Sequence, residues 1–299
     1  MSSVTAETID RLGSIPEGAV AVVGFPWDEN SSYLRGAALG PAKIREALRS
    51  GSANMTTELG VDLDASPGWV DLGDVALPQG EGAVEVIEDA VSAILARGAR
   101  ALSLGGDHSI TYPILRAYGR VHRGLTILQI DAHPDTYDEF EGNRLSHACP
   151  FARIMESGLA TKAVQVGVRT MTGHQREQNR RFGITAIEMK DWSLGSMPTI
   201  DPPIYLSIDL DALDPAHAPG VSHHEPGGLT TRDVLNIIHG LPDGLVGADI
   251  VEFNPLRDSV GTTAMVAAKL CKELIGRMLV PGHRNPNMPS GVMTESEGP

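Results

Sequence analysis

Cysteine is nearly missing: Cys149 and Cys271 are the two in 299 residues. They lie too far apart in sequence to suggest a disulfide framework, which fits a reducing compartment and makes a cytoplasmic location the expectation. Basic residues are also in deficit, with 24 Lys and Arg against 38 Asp and Glu and a formal net charge of −14. A protein that grips a phosphate backbone needs the opposite balance, so no nucleic-acid partner is expected; a cation suits the charge better. No uncharged apolar stretch approaches the roughly 20 residues that cross a bilayer, so no membrane partner is expected either. The N-terminal MSSVTAETIDRLGS lacks the basic-then-apolar pattern of a signal peptide. Internal repeats are not visible.

What remains is an ordinary globular composition, 41% hydrophobic and 21% charged, long enough for one large α/β core. We read residues 1–299 as a single domain ending in a mobile tail, 281–299, rich in Gly, Pro, Asn and Ser. Apolar β-like runs at 20–25, 101–104, 163–168, 205–209 and 245–251 alternate with segments of helical period at 41–50, 84–96, 173–181 and 262–278. Between 51 and 80 the chain is irregular, with a short strand near 69–72.

Chemistry-bearing residues collect where strands end. The run TILQI is followed by DAHPD, which places Asp131, His133 and Asp135 within five residues. On an extended or tightly turned segment these three can face one way. After the strand at 101–104 comes GGDHS, where two glycines permit a sharp turn and deliver His108 just before a helix. A third strand ends in SIDLDALDP, carrying Asp209, Asp211 and Asp214. Aspartates at this density repel one another without a cation. The spacing lacks the glycine and downstream glutamate of an EF-hand.

His108, Asp131, His133, Asp135, Asp209 and Asp211 are too many ligands for one tetrahedral ion and suit two divalent ions that share carboxylates. Oxygen and imidazole donors without thiolate favour manganese, so two Mn2+ per chain is the expectation. Two such ions about 3.5 Å apart lower the pKa of a shared water and make a nucleophile at neutral pH.

Taken in order over 105–255, GGDHS, DAHPD, SIDLDALDP, PGGLT and VEFNP resemble the ureohydrolases, the arginases and agmatinases, and SSYLRGAALGPAKIRE is similar to the family's loop and helix upstream. The resemblance implies a three-layer α/β/α arginase-like fold around a central, mainly parallel sheet of about eight strands. It implies one ion on His108, Asp131, Asp135 and Asp209, and the other on Asp131, His133, Asp209 and Asp211, with Asp131 and Asp209 bridging. It further implies a hydroxide between the ions that attacks a guanidinium carbon, giving urea and an amine. Asp135 would move a proton, His147 would act as the mobile acid/base, and Glu252 would pair with the guanidinium. A homo-oligomer, trimer or hexamer, is also expected from the resemblance.

For the small guanidino substrate, Tyr137 stands where arginases carry an asparagine, so the chain looks closest to agmatinase-like members. Agmatine or a related guanidino acid or amine is the expected substrate, with Tyr137, His223 and Glu252 as its binding residues. The alternatives are a formimidoylglutamase-like hydrolase that releases formamide, and a metal-binding but inactive family member.

Overall fold

The computed structural model describes Gly13 and residues 15–282. Most of the tail expected at 281–299, from 283 onward, lies outside the described residues.

Eight strands form one sheet: β1 (Val20–Phe25), β2 (Trp69–Asp74), β3 (Arg100–Gly105), β4 (Thr126–Ile130), β5 (Lys162–Val168), β6 (Thr185–Glu188), β7 (Ile204–Asp209) and β8 (Leu245–Val251). Their order is β2-β1-β3-β8-β7-β4-β5-β6, and every pairing is parallel. Among the described residues seven helices flank it: α1 (Gly40–Leu48), α2 (Gly82–Leu95), α3 (Thr111–Val121), α4 (Pro150–Glu156), α5 (Gly173–Phe182), α6 (Thr231–Gly240) and α7 (Thr262–Leu279).

Strands buried on both faces favour apolar side chains on both, which is why the central strands read as largely apolar runs. Period-two geometry then divides each run between two cores. Val20 and Val22, Leu102 and Leu104, Leu128 and Ile130, and Leu206 and Ile208 pack with Ile44 of α1, Val234 of α6 and Leu274 of α7. Ala21 and Val23, Ala101, Ile127 and Tyr205 turn the other way, onto Val91 of α2, Ile114 of α3 and Phe151 of α4. The three layers follow from this alternation.

Helix boundaries have local causes. Pro41 sits in the first turn of α1. Capping boxes at Thr172 with Gln175 and at Thr230 with Asp233 start α5 and α6. Gly183, at φ 66°, ends α5 in the left-handed region.

The strand order places the site. β3 and β4 are consecutive in sequence, yet β8 and β7 lie between them in the sheet. In an open parallel sheet, the carboxyl ends of the strands beside such a reversal form the crevice where ligands bind. The middle strands β3, β8, β7 and β4 are the ones followed by His108, Glu252, Asp211 and Asp131.

Gly106, just past β3, packs against the loop that follows β1. A Cβ there would stand 1.7 Å from the carbonyl oxygen of Trp27, and the neighbouring amide of Asp107 bonds that same oxygen at 2.8 Å. Backbone cannot yield as a side chain does. Gly106→Ala is therefore expected to cost about 3 kcal/mol, read as a lower midpoint in urea denaturation.

Candidate metal centre

His108 leaves β3 in a single 3-10 turn, His108–Ile110, started by Asp107, whose carboxylate accepts from the Ser109 amide. Its ring is fully buried. Nε2 lies 2.9 Å from Ser207 Oγ, and Ser207 Oγ donates to Asp249 Oδ1 at 2.6 Å. Asp249 also accepts from the hydroxyls of Thr111 and Tyr205. Because the Ser207 hydrogen is committed to Asp249, Nε2 of His108 is the donor in its own bond, which leaves the Nδ1 lone pair facing the site.

Nδ1 points at a converging set of carboxylates. It lies 3.1 Å from Asp131 Oδ2, 3.0 Å from Asp135 Oδ2 and 3.2 Å from Asp209 Oδ2, and it forms no hydrogen bond to any of them. Spacings near 3 Å are those between adjacent donors around one six-coordinate ion at about 2.1 Å. An orphaned buried nitrogen among three carboxylate oxygens fits a cation in their midst. Beside this group lies a second, Asp131, His133 and Asp211. There His133 Nδ1 is 3.1 Å from Asp211 Oδ2 and 3.7 Å from Asp131 Oδ1. Oxygen and imidazole donors in two adjoining groups that share Asp131 suit a binuclear centre. Asp209 belongs to the first group; in the second the structure brings Asp131, His133 and Asp211 together without it.

The local backbone differs from the extended arrangement read in the sequence. β4 stops at Ile130, and Asp135 reaches the first group through a left-handed backbone, φ 50°. Asp209 and Asp211 meet across a 3-10 turn in which the Asp209 side chain accepts from the Asp211 amide at 2.8 Å.

The charges respond to this crowding. Burial, then repulsion from Asp135, lifts the Asp131 carboxyl to about 7; burial, then Asp211 and Asp131, lifts Asp209 well above the carboxylate range. Burial works against charge on His133, yet the field of Asp211 prevails and raises it to about 11. Burial likewise opposes charge on Asp211, and His133 pulls its carboxyl down.

At the mouth, His147 Nδ1 lies 2.9 Å from Glu252 Oε1, and its Nε2 is 2.8 Å from Ser32 Oγ. Although burial disfavours the cation, Glu252 raises His147 to about 9. Glu252 is in turn held ionised by His147 against its own burial. Its backbone also sits at positive φ, 63°, and Oε1 accepts the His108 amide at 2.9 Å. His223 joins this group: its ring centroid is 5.3 Å from that of His147, 5.9 Å from His133 and 5.6 Å from Tyr33, and its Nε2 is buried without a partner.

Tyr137 is placed differently. Its ring stacks on His174 and leans on Phe140 rather than on the histidines of the mouth. Asp214 closes a turn, accepting from the amides of Ala216, Gly227 and Gly228. His224 is exposed and bonds the Pro219 carbonyl oxygen.

Several residues escape sequence reasoning. The Ser207 and Asp249 pair lies inside apolar runs. Arg169 donates to the carbonyls of Asp211, Ala212 and Leu213 and of Glu225, bracing the loop that carries Asp211. Asp107, raised to about 6 by burial and then by Glu252, accepts from Asn30 N and Ser31 Oγ and so anchors the mouth. A buried polar residue at a strand position was the one available signal for Ser207 and Asp249.

The comparisons agree with this geometry. A family model described as "Arginase family" matches residues 18–276. Arginase 1, mitochondrial, of rice is 45% identical, over 93% of this chain and 86% of its own. Human guanidino acid hydrolase, mitochondrial, is 38% identical over 87% and 78%, and agmatinase of Bacillus anthracis 32% over 88% and 92%. The structure of the Medicago truncatula arginase superimposes with a TM-score of 0.85 at 40% identity, covering 91% of this chain and 94% of that one. The chain belongs to the arginase family, and its fold is the arginase-like three-layer architecture, with a sheet that is wholly parallel. The same comparison corrects one expectation. Relatives from rice and Arabidopsis carry mitochondrial or chloroplastic names, so the cytoplasmic location inferred from cysteine scarcity does not stand; a reducing interior is not peculiar to the cytosol.

Removing the Ser207 hydroxyl would leave His108 Nε2 and an oxygen of Asp249 buried and unpaired. Ser207→Ala should lose about 1–3 kcal/mol of stability, measured by urea denaturation in the presence of a chelator.

Proposed function

We propose that this chain is a binuclear Mn2+ amidinohydrolase that cleaves a guanidino compound to urea and an amine. The observation that carries the reading is the meeting of two metal-suited groups, joined at Asp131, with a buried, ionised Glu252 beside them. In this reading His108, Asp131, Asp135 and Asp209 would hold one ion, and Asp131, His133 and Asp211 would hold the other. When bound, the two ions supply Lewis acidity that brings the pKa of a shared water near neutrality.

The chain's own residues do the rest. A guanidinium is a planar cation and needs an anionic acceptor. Both of Glu252's bonds, to the His108 amide and to His147, fall on Oε1, which leaves Oε2 to accept from a guanidinium. Asp135, whose Oδ2 lies 3.0 Å from His108 Nδ1 in the first group, would hold a proton there and pass it to the leaving nitrogen. His147, held as an imidazolium beside Glu252, would donate a proton at the mouth and then regain one from solvent. His223 lines the mouth and offers its unpartnered Nε2 to the substrate tail.

For that tail, the names of the relatives carry the most weight. Arginases at 45% and a guanidino acid hydrolase at 38% identity stand ahead of an agmatinase at 32%. Tyr137, the residue that favoured agmatine, makes its ring contacts with Phe140 and His174. We therefore place arginine and guanidino acids ahead of agmatine.

Urea release from arginine, guanidinobutyrate, guanidinopropionate, agmatine and guanidine by Mn2+-loaded protein tests the reading. Urea from at least one is expected. Formamide without urea from a formimino substrate, or no turnover with Mn2+ bound, would overturn it. Asp131→Ala should abolish both Mn2+ binding and turnover, whereas Glu252→Gln should keep the metal and raise KM by about 100-fold or more, the cost of an unpaired buried cation of 3 kcal/mol or so.

A further inference from the structure

Two side-chain amides lie inside the layer between β4, β5 and their helices, where apolar residues would be expected. Gln129 on β4 and Gln165 on β5 are register partners, and both are fully buried. An unsatisfied amide there would cost on the order of 1–3 kcal/mol. None is left unsatisfied. Thr136 Oγ1 donates to Asn179 Oδ1 at 3.0 Å, Asn179 Nδ2 to Gln165 Oε1 at 2.7 Å, and Gln165 Nε2 to Gln129 Oε1 at 2.7 Å. Gln129 Nε2 then donates to Asp131 Oδ2 at 2.7 Å.

The direction of this chain is fixed by chemistry. Gln165 Nε2 also donates to the Pro134 carbonyl at 2.7 Å and Gln129 Nε2 to the His133 carbonyl at 3.1 Å. Carbonyls and a carboxylate accept and do not donate. Turning either amide around would set oxygen against oxygen, so every dipole has its positive end toward Asp131. Bonds aligned head to tail polarise one another, and the last is charge-assisted. The same amides clasp the His133 and Pro134 carbonyls, and hence the loop from which Asp131, His133 and Asp135 project.

We propose that this amide relay is a positioning device for the shared metal ligand, with Gln129 as the positioning residue at Asp131 and Gln165 and Asn179 acting through it. The proposal rests on Asp131 being a metal ligand, as argued above. A purely structural role predicts loss of stability alone; positioning predicts a loss of metal affinity that is transmitted along the relay.

The test is Mn2+ titration calorimetry of the full chain, with metal-free melting temperatures measured alongside. Gln129→Leu is expected to weaken Mn2+ binding by about 10- to 100-fold, the usual effect of removing a group that orients a ligand. Gln165→Leu, which removes no contact to a ligand side chain, should weaken it by roughly fivefold in the unaltered chain and by clearly less in the Gln129→Leu background, where only its bond to the Pro134 carbonyl remains to be lost. Unchanged affinity in Gln129→Leu, or an equal loss from Gln165→Leu in both backgrounds, overturns the proposal whatever happens to stability. If a Leu variant fails to fold, Asn179→Ser at the outer end should still cost roughly threefold in affinity, and unchanged affinity overturns the idea. Failure of the unaltered chain to bind Mn2+ would instead overturn the metal reading beneath it.

Discussion

Four aspartates share one buried pocket, and this is the constraint from which the rest follows. Asp131, Asp135, Asp209 and Asp211 are all nearly inaccessible to solvent, and a buried charge costs several kcal/mol when unpaired. The protein spends backbone and side-chain donors on them selectively. Asp209 gives Oδ1 to the amide of Asp211 and turns Oδ2 to His108. Asp211 gives Oδ1 to the amide of Ala132 and turns Oδ2 to His133. One oxygen of each is fixed to its own framework while the other is kept for the centre. The leftover negative potential is what a pair of divalent cations would neutralise, and the excess of acidic over basic residues in the chain as a whole does not oppose their approach.

Holding the carboxylates there requires unusual backbone. Asp135 and Glu252 are non-glycine residues at positive φ, a conformation that costs of order 1–3 kcal/mol for each and persists only where its surroundings impose it. For Glu252 the surroundings are explicit, since its amide bonds the Gly106 carbonyl at 2.8 Å and its Oε1 takes the His108 amide. The ends of β3 and β8 are thus tied together beneath the site. For Asp135 the bond from the Phe151 amide to its carbonyl ties the same loop to the start of α4. Strain at both ends of one pocket argues that the positions of these carboxylates matter more to the molecule than local comfort.

The inner site was legible in the sequence because its residues sit at strand ends, where apolar runs stop abruptly at DAHPD, GGDHS and SIDLDAL. All six metal-ligand candidates meet in the structure, as does the pair His147 and Glu252. The sheet was legible for a related reason: strands buried on both faces have no polar alternation to confuse them. What escaped were polar residues within strands, and others, whose partners no local motif announces. Ser207, Gln129 and Gln165 read as polar interruptions of strands, and only the parallel register and the strand order reveal what each one touches. Arg169, just past a strand, carries no sequence signal of its contacts: its guanidinium gathers carbonyls from the 209–214 loop and from Glu225. Tyr137 is expected at the substrate because it stands where arginases carry an asparagine, but in the structure its ring stacks on His174 of α5.

The buried acidic centre and its mouth are built on different parts of the molecule. The metal groups and Glu252 stand on strand ends buttressed by the sheet, whereas the mouth is made of loops that are distant in sequence: Ser32 and Tyr33, His147, and His223. Those loops are fastened to the core by polar contacts. Asp107 accepts from Asn30 and Ser31, the His147 amide bonds the Asn30 carbonyl, and Asn254, just past Glu252, bonds both Leu34 O and Ser222 Oγ. A change of substrate tail can therefore be made by exchanging side chains on these loops without moving the carboxylates below. It follows that family membership, which is carried by the strand ends, leaves the make-up of the mouth open, where His223 packs between Tyr33 and His147.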